Sequence, residues 1–407
     1  MREEGARQAA ATVFRREAGP LVGALTRQIG NFDVAEESVQ DALVAALEHW
    51  PREGVPERPG AWLATTARRR AIDRLRREAR GREKLAQLAA EPLQPRSDER
   101  LYLLFTCGHP SLGHEAQVIL TLRAVAGLTT KEIAGAFLTS EATIAQRMVR
   151  AKRKVVSAGI PYRLPPEAEM AERLDGVLAV LYLMFNEGYL SSRGETAERR
   201  GLSTEAEWLT ELVTRLLPRE PEPLGLLALL RLHLARAPER FDGEGRLILL
   251  EDQDRERWDR PMIAGAVRLI ERAASLRRRG PYQIQAAIAA VHAEARSWRE
   301  TDWSQILVLY GILLHHQDTP VVRLNRAIAL RHVSGPQAAL NAIEGLRGGL
   351  DSYHLLHSTR AELLWDLGRV DEAREEGEWA LRLAANPAER ELLATRLRTR
   401  SAAQGSR

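Results

Sequence analysis

The sequence predicts an all-α protein. Nearly every segment spaces its apolar side chains three or four residues apart, as amphipathic helices do, and no run shows the alternation of a half-buried strand. The composition agrees, because Ala, Leu, Glu and Arg are strong helix formers. Loops rich in Pro, Gly or polar residues separate the helical blocks, at residues 51–60, 89–100 and 159–167.

A chain of 407 residues is too long for one ordinary core, so several domains are expected. The loops divide it into two small helical domains, a helical extension and a repeat region. The predicted boundaries are residues 1–85 for the first domain, 86–105 for a linker, 106–158 for the second domain, 159–290 for the extension and 291–400 for the repeats.

The composition is that of a soluble globular protein, with 44% hydrophobic and 28% charged residues. A net charge of only +4 gives no positive field over the whole molecule, so the position of each charge matters. The single cysteine, Cys107, excludes an internal disulfide and a Cys-rich zinc site. The most apolar run, Leu224 to Leu234, is short and is broken by Arg231, which predicts a core helix. With no targeting segment visible, we predict a cytoplasmic protein that does not enter a membrane.

The first distinctive element is the predicted helix "DVAEESVQDALVAALEHW" at residues 33–50. Carboxylates crowd its first turns, where they complement the helix dipole. Its predicted buried stripe consists of Val39, Leu43, Val44 and Leu47. The acidic start is either an ordinary helix start or a docking face for a basic protein partner.

The next helix, "AWLATTARRRAIDRLRRE" at residues 61–78, is strongly basic. Its predicted core face consists of Leu63, Ala64, Ala67, Ala71, Ile72 and Leu75. The opposite face is either solvated, with Trp62 folded onto the core, or a nucleic-acid surface on which Arg contacts phosphates and bases while Thr and Trp contact bases. This helix alone favours neither interpretation.

The stretch "LTTKEIAGAFLTSEATIAQRMVRAKRKV" at residues 128–155 predicts a helix-turn-helix. Thr129 and Glu132 have the spacing of a capping box, and Ser140 is placed to cap the second helix. The predicted buried positions of that second helix are Ile144, Met148, Ala151 and Val155. The other face of this helix carries several basic residues, which favours a DNA-recognition helix over a plain helical hairpin.

A repeat of 34 residues is present near the C-terminus. Ala327, Leu330, Ala339, Ile343 and Leu346 are followed 34 residues later by Ala361, Leu364, Ala373, Gly377 and Ala380. This period is that of tetratricopeptide repeats, with Gly368 at the turn and Pro387 after the second helix. Ordinary helical hairpins that match by chance are the alternative, and the small Gly377 indicates a degenerate repeat.

No enzymatic motif is recognisable: the sequence has no nucleotide-binding loop, no HExxH and no G-x-S-x-G. The adjacent His315 and His316 have no carboxylate at metal-ligand spacing. We therefore predict a protein without catalytic residues, metal or cofactor.

Taken together, the acidic helix, the basic helix and the helix-turn-helix resemble bacterial extracytoplasmic-function (ECF) sigma factors. The first two resemble the region that docks on core RNA polymerase and melts the −10 element, and the third resembles the region that reads the −35 element. "LYLLFTCGHPSL" and "DGVLAVLYLMFNEGYLSSRGE" resemble a subgroup with a long C-terminal tetratricopeptide-like extension. The resemblance covers essentially the whole chain and implies two partners, promoter DNA and the core polymerase with its β′ clamp and β flap.

The resemblance also assigns residues to these surfaces. Facing the polymerase clamp would be Asp33, Glu36, Glu37, Gln40 and Asp41. Along the −10 element would lie Trp62, Thr66, Arg69, Asp73, Arg76 and Arg77, with the loop from Trp50 to Gly60 holding an unstacked base. In the −35 major groove would lie Glu141, Thr143, Gln146, Arg147 and Arg150.

Three departures from the family pattern bear on function. "TTARRRA" lacks an Asn that members often have after the basic pair, and Ala145-Gln146 replaces a common Val-Lys, so the promoter preference cannot be transferred. Cys107-Gly108 stands where close relatives often have two cysteines, which argues against a thiol switch.

The extension is expected to modulate activity through an intramolecular contact or a protein partner. "FNEGYLSSRGE" at residues 185–195 is either a helix end or a contact between the extension and the sigma domains. The competing hypothesis for the whole chain is a DNA-binding regulator with a tetratricopeptide sensor that does not bind core polymerase.

Overall fold

The computed structural model describes residues 2–77, 93, 99–137, 139–189 and 197–404. These residues form helices joined by loops, and their one β-type pairing is an isolated bridge between Phe241 and Leu247. The all-α prediction is therefore confirmed. The described chain divides into two compact units, one up to Leu216 and one from Leu217 onward.

The helices of the first unit are α1 (Arg2–Ile29), α2 (Phe32–Glu53), α3 (Pro59–Arg77), α4 (Glu99–Cys107), α5 (His114–Ala124), α6 (Thr130–Ala136), α7 (Glu141–Ser157), α8 (Glu167–Tyr189) and α9 (Ala197–Leu216). The first three pack together around a core that includes Phe14, Leu25 and Trp50. The Asn31 side chain accepts hydrogen bonds from the first amides of α2 and so begins that helix. Gly54 ends α2 with a φ of +88°, which glycine adopts without strain.

The predicted helix-turn-helix is present in α6 and α7. Thr129 and Glu132 form the complete capping box, and the Ser140 hydroxyl accepts from the Thr143 amide at the start of α7. The four positions of α7 that were predicted to face the core are all buried: Ile144, Met148, Ala151 and Val155.

Helices α8 and α9 form a hairpin within the first unit that contacts α4, α5 and α6. The Arg173 guanidinium of α8 donates to the Phe105 carbonyl at the end of α4, over 2.7 Å. The Arg100 guanidinium lies 4.8 Å from the centre of the Trp208 ring of α9 and also donates to the Arg16 carbonyl of α1. The first part of the predicted extension is therefore packed on the second predicted sigma domain and on α4.

Two segments that were expected to be linkers contribute packed structure. Residues 99–105 of the predicted 86–105 linker belong to α4, which contacts α1, while residues 86–92 and 94–98 lie outside the described residues. In the Pro-rich segment before α8, the Tyr162 hydroxyl donates to the buried Glu99 carboxylate over 2.5 Å. Buried charge needs such partners, and the sequence pattern gave no sign of this long-range pairing.

The second unit contains α10 (Pro221–Ala235), α11 (Arg260–Ser275), α12 (Pro281–Glu294), α13 (Trp303–His316), α14 (Pro320–Ser334), α15 (Pro336–Ile343), α16 (Arg347–Leu350), α17 (His354–Asp366), α18 (Val370–Leu383) and α19 (Pro387–Gln404). Helix α10 is buried around most of its circumference, as expected for the most apolar run. Buried Arg255 donates to the carbonyls of His292 and Ala295 at the end of α12 and so satisfies helix-end acceptors.

The predicted repeat positions fall on two helical hairpins, α14–α15 and α17–α18. Ala327 and Ala339 are buried in the first hairpin, and Ala361 and Ala373 in the second, within one apolar cluster. Gly368 occupies the second turn with a φ of +73°. Both interpretations of the repeat predict such hairpins, so the assignment to tetratricopeptide repeats stays a prediction.

Candidate nucleic-acid interface

Helix α7 presents a polar face to solvent. Glu141, Gln146 and Arg150 are exposed on it, Thr143 is half-buried beside the cap, and the apolar residues of the same helix face inward. A capped helix with polar side chains at its N-terminal end is the arrangement that reads base edges in a major groove. Four of the five predicted −35 residues therefore lie on one accessible stretch without an ion pair between them.

The fifth, Arg147, is engaged within the chain. Its Nη1 pairs with a carboxylate oxygen of Glu115, at the start of α5. Both side chains are partly exposed, so DNA can displace this pair at little cost. The structure therefore adds Glu115 as a competitor for a side chain that was predicted to read DNA.

Helix α3 carries the predicted −10 face. Arg69, Asp73 and Arg76 are exposed along it and Thr66 is half-buried, while Leu63, Ala67, Ala71 and Leu75 are buried on the opposite side. Arg77 ends the helix, and its side chain lies outside the described residues. The face offers guanidinium groups for phosphates and a hydroxyl beside them, which are suitable groups for a nucleic-acid strand.

The aromatic residues near this face contribute to packing. Trp62 is partly buried against Trp50, with ring centres 5.6 Å apart in an edge-to-face arrangement, and Trp50 is itself buried. Of the stretch from Trp50 to Gly60, residues up to Glu53 continue α2, so the loop between the helices is residues 54–58. Of the two interpretations of Trp62, a ring folded onto the core and a ring that contacts bases, the first fits these surroundings.

The predicted polymerase-docking carboxylates lie together on α2 but are paired within the chain. The Lys152 ammonium of α7 is 2.6 Å from Asp33, 3.1 Å from Glu36 and 3.4 Å from Glu37. Arg123 of α5 contacts the other oxygen of Glu36 at 2.6 Å. The Glu36 side chain is only 3% exposed, so this residue does not face solvent. Burial lowers the pKa of Lys152, but the charges and hydrogen bonds of Glu36 and Asp33 outweigh it and raise the pKa overall, which keeps the lysine charged.

Glu37 and Asp41 are also paired with α3. Arg74 of α3 pairs with Glu37 and lies 2.8 Å from Asp41. Glu37 and Asp41 stay partly exposed, while the amide nitrogen of Gln40 is buried without a hydrogen-bond partner among the residues that the structure describes. Sequence reasoning missed Lys152, Arg123 and Arg74 as partners, because no local signal shows which distant charge a carboxylate meets.

Two predicted core residues of α2 are instead on the surface. Val39 and Leu43 are buried as expected, but Val44 is 53% exposed and Leu47 is 37% exposed. The neighbouring helices cover a narrower stripe of α2 than the periodicity suggested. The result is an apolar patch of Val44 and Leu47 one turn beyond Asp41, which is a suitable surface for a protein partner.

Cys107 is fully buried at the end of α4. Burial raises the pKa of its thiol far above the ordinary value, so the thiolate that would react with an oxidant does not form. This agrees with the expectation that the chain lacks a thiol switch at this position.

The family comparisons match three segments of the chain. Residues 13–81 match the family model of sigma-70 region 2, and residues 111–155 match that of sigma-70 region 4. Residues 173–274 match a family of unknown function, DUF6596, which takes in α8 and α9 of the first unit and α10 and α11 of the second. An uncharacterized protein of Rhizobium meliloti (strain 1021) is 45% identical over 381 residues, which cover 90% of each chain. Among the described helices, none has the length and apolar character that a membrane span requires.

Proposed function

The chain belongs to the ECF-like sigma factors that carry a C-terminal extension, and from this premise we propose that it binds core RNA polymerase and directs initiation at specific promoters. Its sigma-factor domains indicate a non-enzymatic, DNA-binding role in transcription initiation. What the proposal adds is the identity of the contacting surfaces and the part played by the extension.

The observation that carries the proposal is the exposed polar face of α7. Glu141, Gln146 and Arg150 lie on a helix whose start is capped and whose opposite side is buried, so the backbone that carries them is held in place before DNA arrives. We assign −35 recognition to these residues together with Thr143 and Arg147. Arg on guanine and Gln on adenine are the pairings that such side chains favour in a major groove.

Contact with the −10 element is assigned to the exposed face of α3. Arg69 and Arg76 supply positive charge on this face. Thr66 and Asp73 supply hydrogen-bonding groups on the same face. Trp62 is assigned a supporting role, because its contact with Trp50 holds the start of α3 against the end of α2. Phosphate contacts of this kind position a strand without reading its sequence.

We assign the docking of core polymerase to the surface of α2 that is formed by Glu37, Asp41, Val44 and Leu47. The two carboxylates are partly exposed, and the two apolar side chains next to them have no core to fill. Such a mixed surface suits a partner that offers both basic and apolar groups. Asp33 and Glu36 belong to it only when Lys152 and Arg123 release them.

The extension is assigned a modulating role. Its first hairpin, α8–α9, contacts α4 and the helix-turn-helix block, which consists of α5, α6 and α7, so a change in this hairpin bears directly on the DNA-reading domain. Of the segment "FNEGYLSSRGE", Phe185 is buried within α8, and residues 190–195 lie outside the described residues.

In vitro transcription tests the proposal most directly. Purified chain is added to core polymerase on a pool of genomic promoter fragments, and the transcripts are sequenced. The proposal expects new transcripts that start at fixed distances from shared −35 and −10 elements. Transcripts no different from those of core polymerase alone would contradict it.

The alternative, a DNA-binding regulator that does not bind core polymerase, is favoured by one observation. The α2 carboxylates are paired within the chain, as they would be if no partner used them. Co-purification separates the two hypotheses, because a regulator of this kind would bind promoter fragments with strong salt dependence and yet leave core polymerase in the flow-through.

A further inference from the structure

A cluster of ion pairs around the buried Glu36 side chain joins α2 to the helix-turn-helix block. Lys152 and Arg123 both come from that block, and both reach Glu36 on α2. Lys152 also reaches Asp33 and Glu37, so one ammonium holds three carboxylates. With 8% of its side chain exposed, Lys152 is the most buried lysine of α7 and is turned away from the DNA-reading face.

This contact occupies groups that the proposed function assigns to the polymerase. A partner cannot reach Glu36 while Lys152 and Arg123 cover it, because both basic side chains come from another domain lying over α2. Both carboxylate oxygens of Glu36 are already taken, one by Arg123 and the other by Lys152, so a further basic partner has to displace one of them. Docking through Asp33 and Glu36 and closure by Lys152 therefore exclude each other.

A second contact supports the closed arrangement. Arg27 of α1 pairs with the buried carboxylate of Glu99 in α4 at 2.9 Å, and Tyr162 donates to the same carboxylate. Gly23 of α1 lies so close to Tyr162 that a β-carbon there would clash with its hydroxyl. Helix α4 and the Tyr162 segment that follows α7 are thus held to α1 at Glu99, while α5 and α7 are held to α2 at Glu36.

We propose that Lys152 acts as an intramolecular lock, which holds the helix-turn-helix block over the acidic face of α2 and restricts docking of core RNA polymerase until the block moves away. The proposal rests on the proposed function and names its regulation. The polymerase competes with Lys152 and Arg123 for the same carboxylates, so its affinity reports the fraction of open chains. Breaking only one of the buried ion pairs at Glu36 would leave an uncompensated buried charge, which is costly. The closed arrangement is therefore a discrete state and not a loose association.

The test compares the full-length chain with Lys152→Met, and uses Arg153→Met as the matched control because Arg153 is the exposed neighbour on the same helix. Affinity for core polymerase is measured by fluorescence titration without DNA. We expect Lys152→Met to bind at least about fivefold more tightly, because apparent affinity rises as the binding-competent fraction rises. Arg153→Met should match the original chain.

A second measurement follows closure without polymerase. Spin labels are attached at Glu48→Cys on α2 and Val156→Cys on α7, two exposed positions, while native Cys107 is buried and stays unlabelled. Pulsed electron resonance should give one narrow, short distance distribution for the parent chain. Lys152→Met should add longer distances, and Arg153→Met should not.

The outcomes separate the lock from the function on which it rests. If all three chains bind polymerase equally and give the same distances, the lock is overturned and the proposed function stands. If none binds polymerase, the proposed function falls and the regulatory role falls with it, whatever the distances show. Tighter binding together with longer distances in Lys152→Met alone would support the lock.

Discussion

The role of a single side chain in this protein depends on the partner that it contacts. Lys152 shows this best: it lies in a basic helix that suits phosphate, yet its ammonium is buried among carboxylates of α2. Arg150 and Arg153, one or two positions away, are exposed. Neighbouring residues of the same charge therefore have opposite roles, because a helix turns each side chain by about 100° from the one before it.

Arg147 is the side chain on which −35 specificity is most directly testable. Arg147→Ala should weaken promoter binding by about 1–3 kcal/mol and relax the preference at one base, as expected for a lost bidentate contact. Binding to a set of single-base promoter variants measures both effects.

Glu115→Gln is the control for Arg147, because it removes the competing carboxylate and leaves the guanidinium. This variant should bind promoter at least as tightly as the parent chain. An equal loss on every promoter variant for Arg147→Ala would show that Arg147 contacts phosphate and reads no base.

His292 gives the second unit a predictable pH dependence. Burial, followed by the charges of Arg255 and Arg236, lowers the pKa of His292 to about 4, against an ordinary value near 6.5. Because the unfolded chain takes up the proton first, the stabilisation is complete above pH 6.5 and is lost as the pH falls towards 4. Between pH 7.5 and 5 this amounts to about 2 kcal/mol of unfolding free energy.

Denaturant unfolding of the full chain at both pH values measures this loss, with His292→Phe as the comparison. The ring of His292 stacks on Trp298 and meets Trp303 edge to face, and its Nδ1 has no hydrogen-bond partner among the described residues, so Phe keeps the packing and removes the titration. The variant should lose about 2 kcal/mol less than the parent. Equal losses in both chains would mean that His292 is not the titrating group.

At the scale of elements, α2 and α3 form one charged pair of helices. Arg74 of α3 reaches Glu37 and Asp41 of α2, so part of the basic face is used to hold the acidic one. The other part of α3 stays exposed for a nucleic acid. Helix α3 therefore packs against α2 on one side and leaves exposed the side that we assign to nucleic acid.

The exposed apolar patch of α2 makes an element-level prediction. Val44→Glu should abolish co-purification with core polymerase and leave the melting temperature unchanged, because Val44 is 53% exposed and fills no core. Val55→Glu, which makes the same change at an exposed position of the 54–58 loop, is the control and should keep binding. If Val44→Glu still co-purifies, the assignment of polymerase to this face of α2 is wrong.

The whole molecule divides at Leu216, whereas the sequence suggested a boundary near residue 159. The reason is the α8–α9 hairpin, whose Arg173 donates to the Phe105 carbonyl of α4 and whose Trp208 lies against Arg100. The DUF6596 match begins at residue 173 and so includes this hairpin. The extension is therefore partly built into the sigma unit.

Truncation tests this division. A fragment of residues 1–216 should unfold cooperatively, whereas a fragment of residues 1–165 should be less stable by about 3 kcal/mol or more, because large apolar side chains lose their cover at about 1.5–3 kcal/mol each. Denaturant unfolding of both fragments gives the comparison. Equal stabilities would show that the hairpin contributes nothing to the unit.

The sequence by itself determined the features that are local along the chain. The capping box at Thr129 and Glu132, the buried positions of α7 and the acidic and basic helices all follow from signals within one helix, where caps and periodicity act over a few residues. The family follows from the order of these elements.

Only the tertiary structure decided which charges and apolar side chains remain available. Lys152 meets Glu36 across 116 positions of sequence, and Val44 is exposed because none of the described helices covers its side of α2. Such pairings depend on how separate helices pack, and a side chain has the same identity whether it is paired or free. For that physical reason, the acidic face that the sequence offered to a partner proved to be occupied by the chain itself.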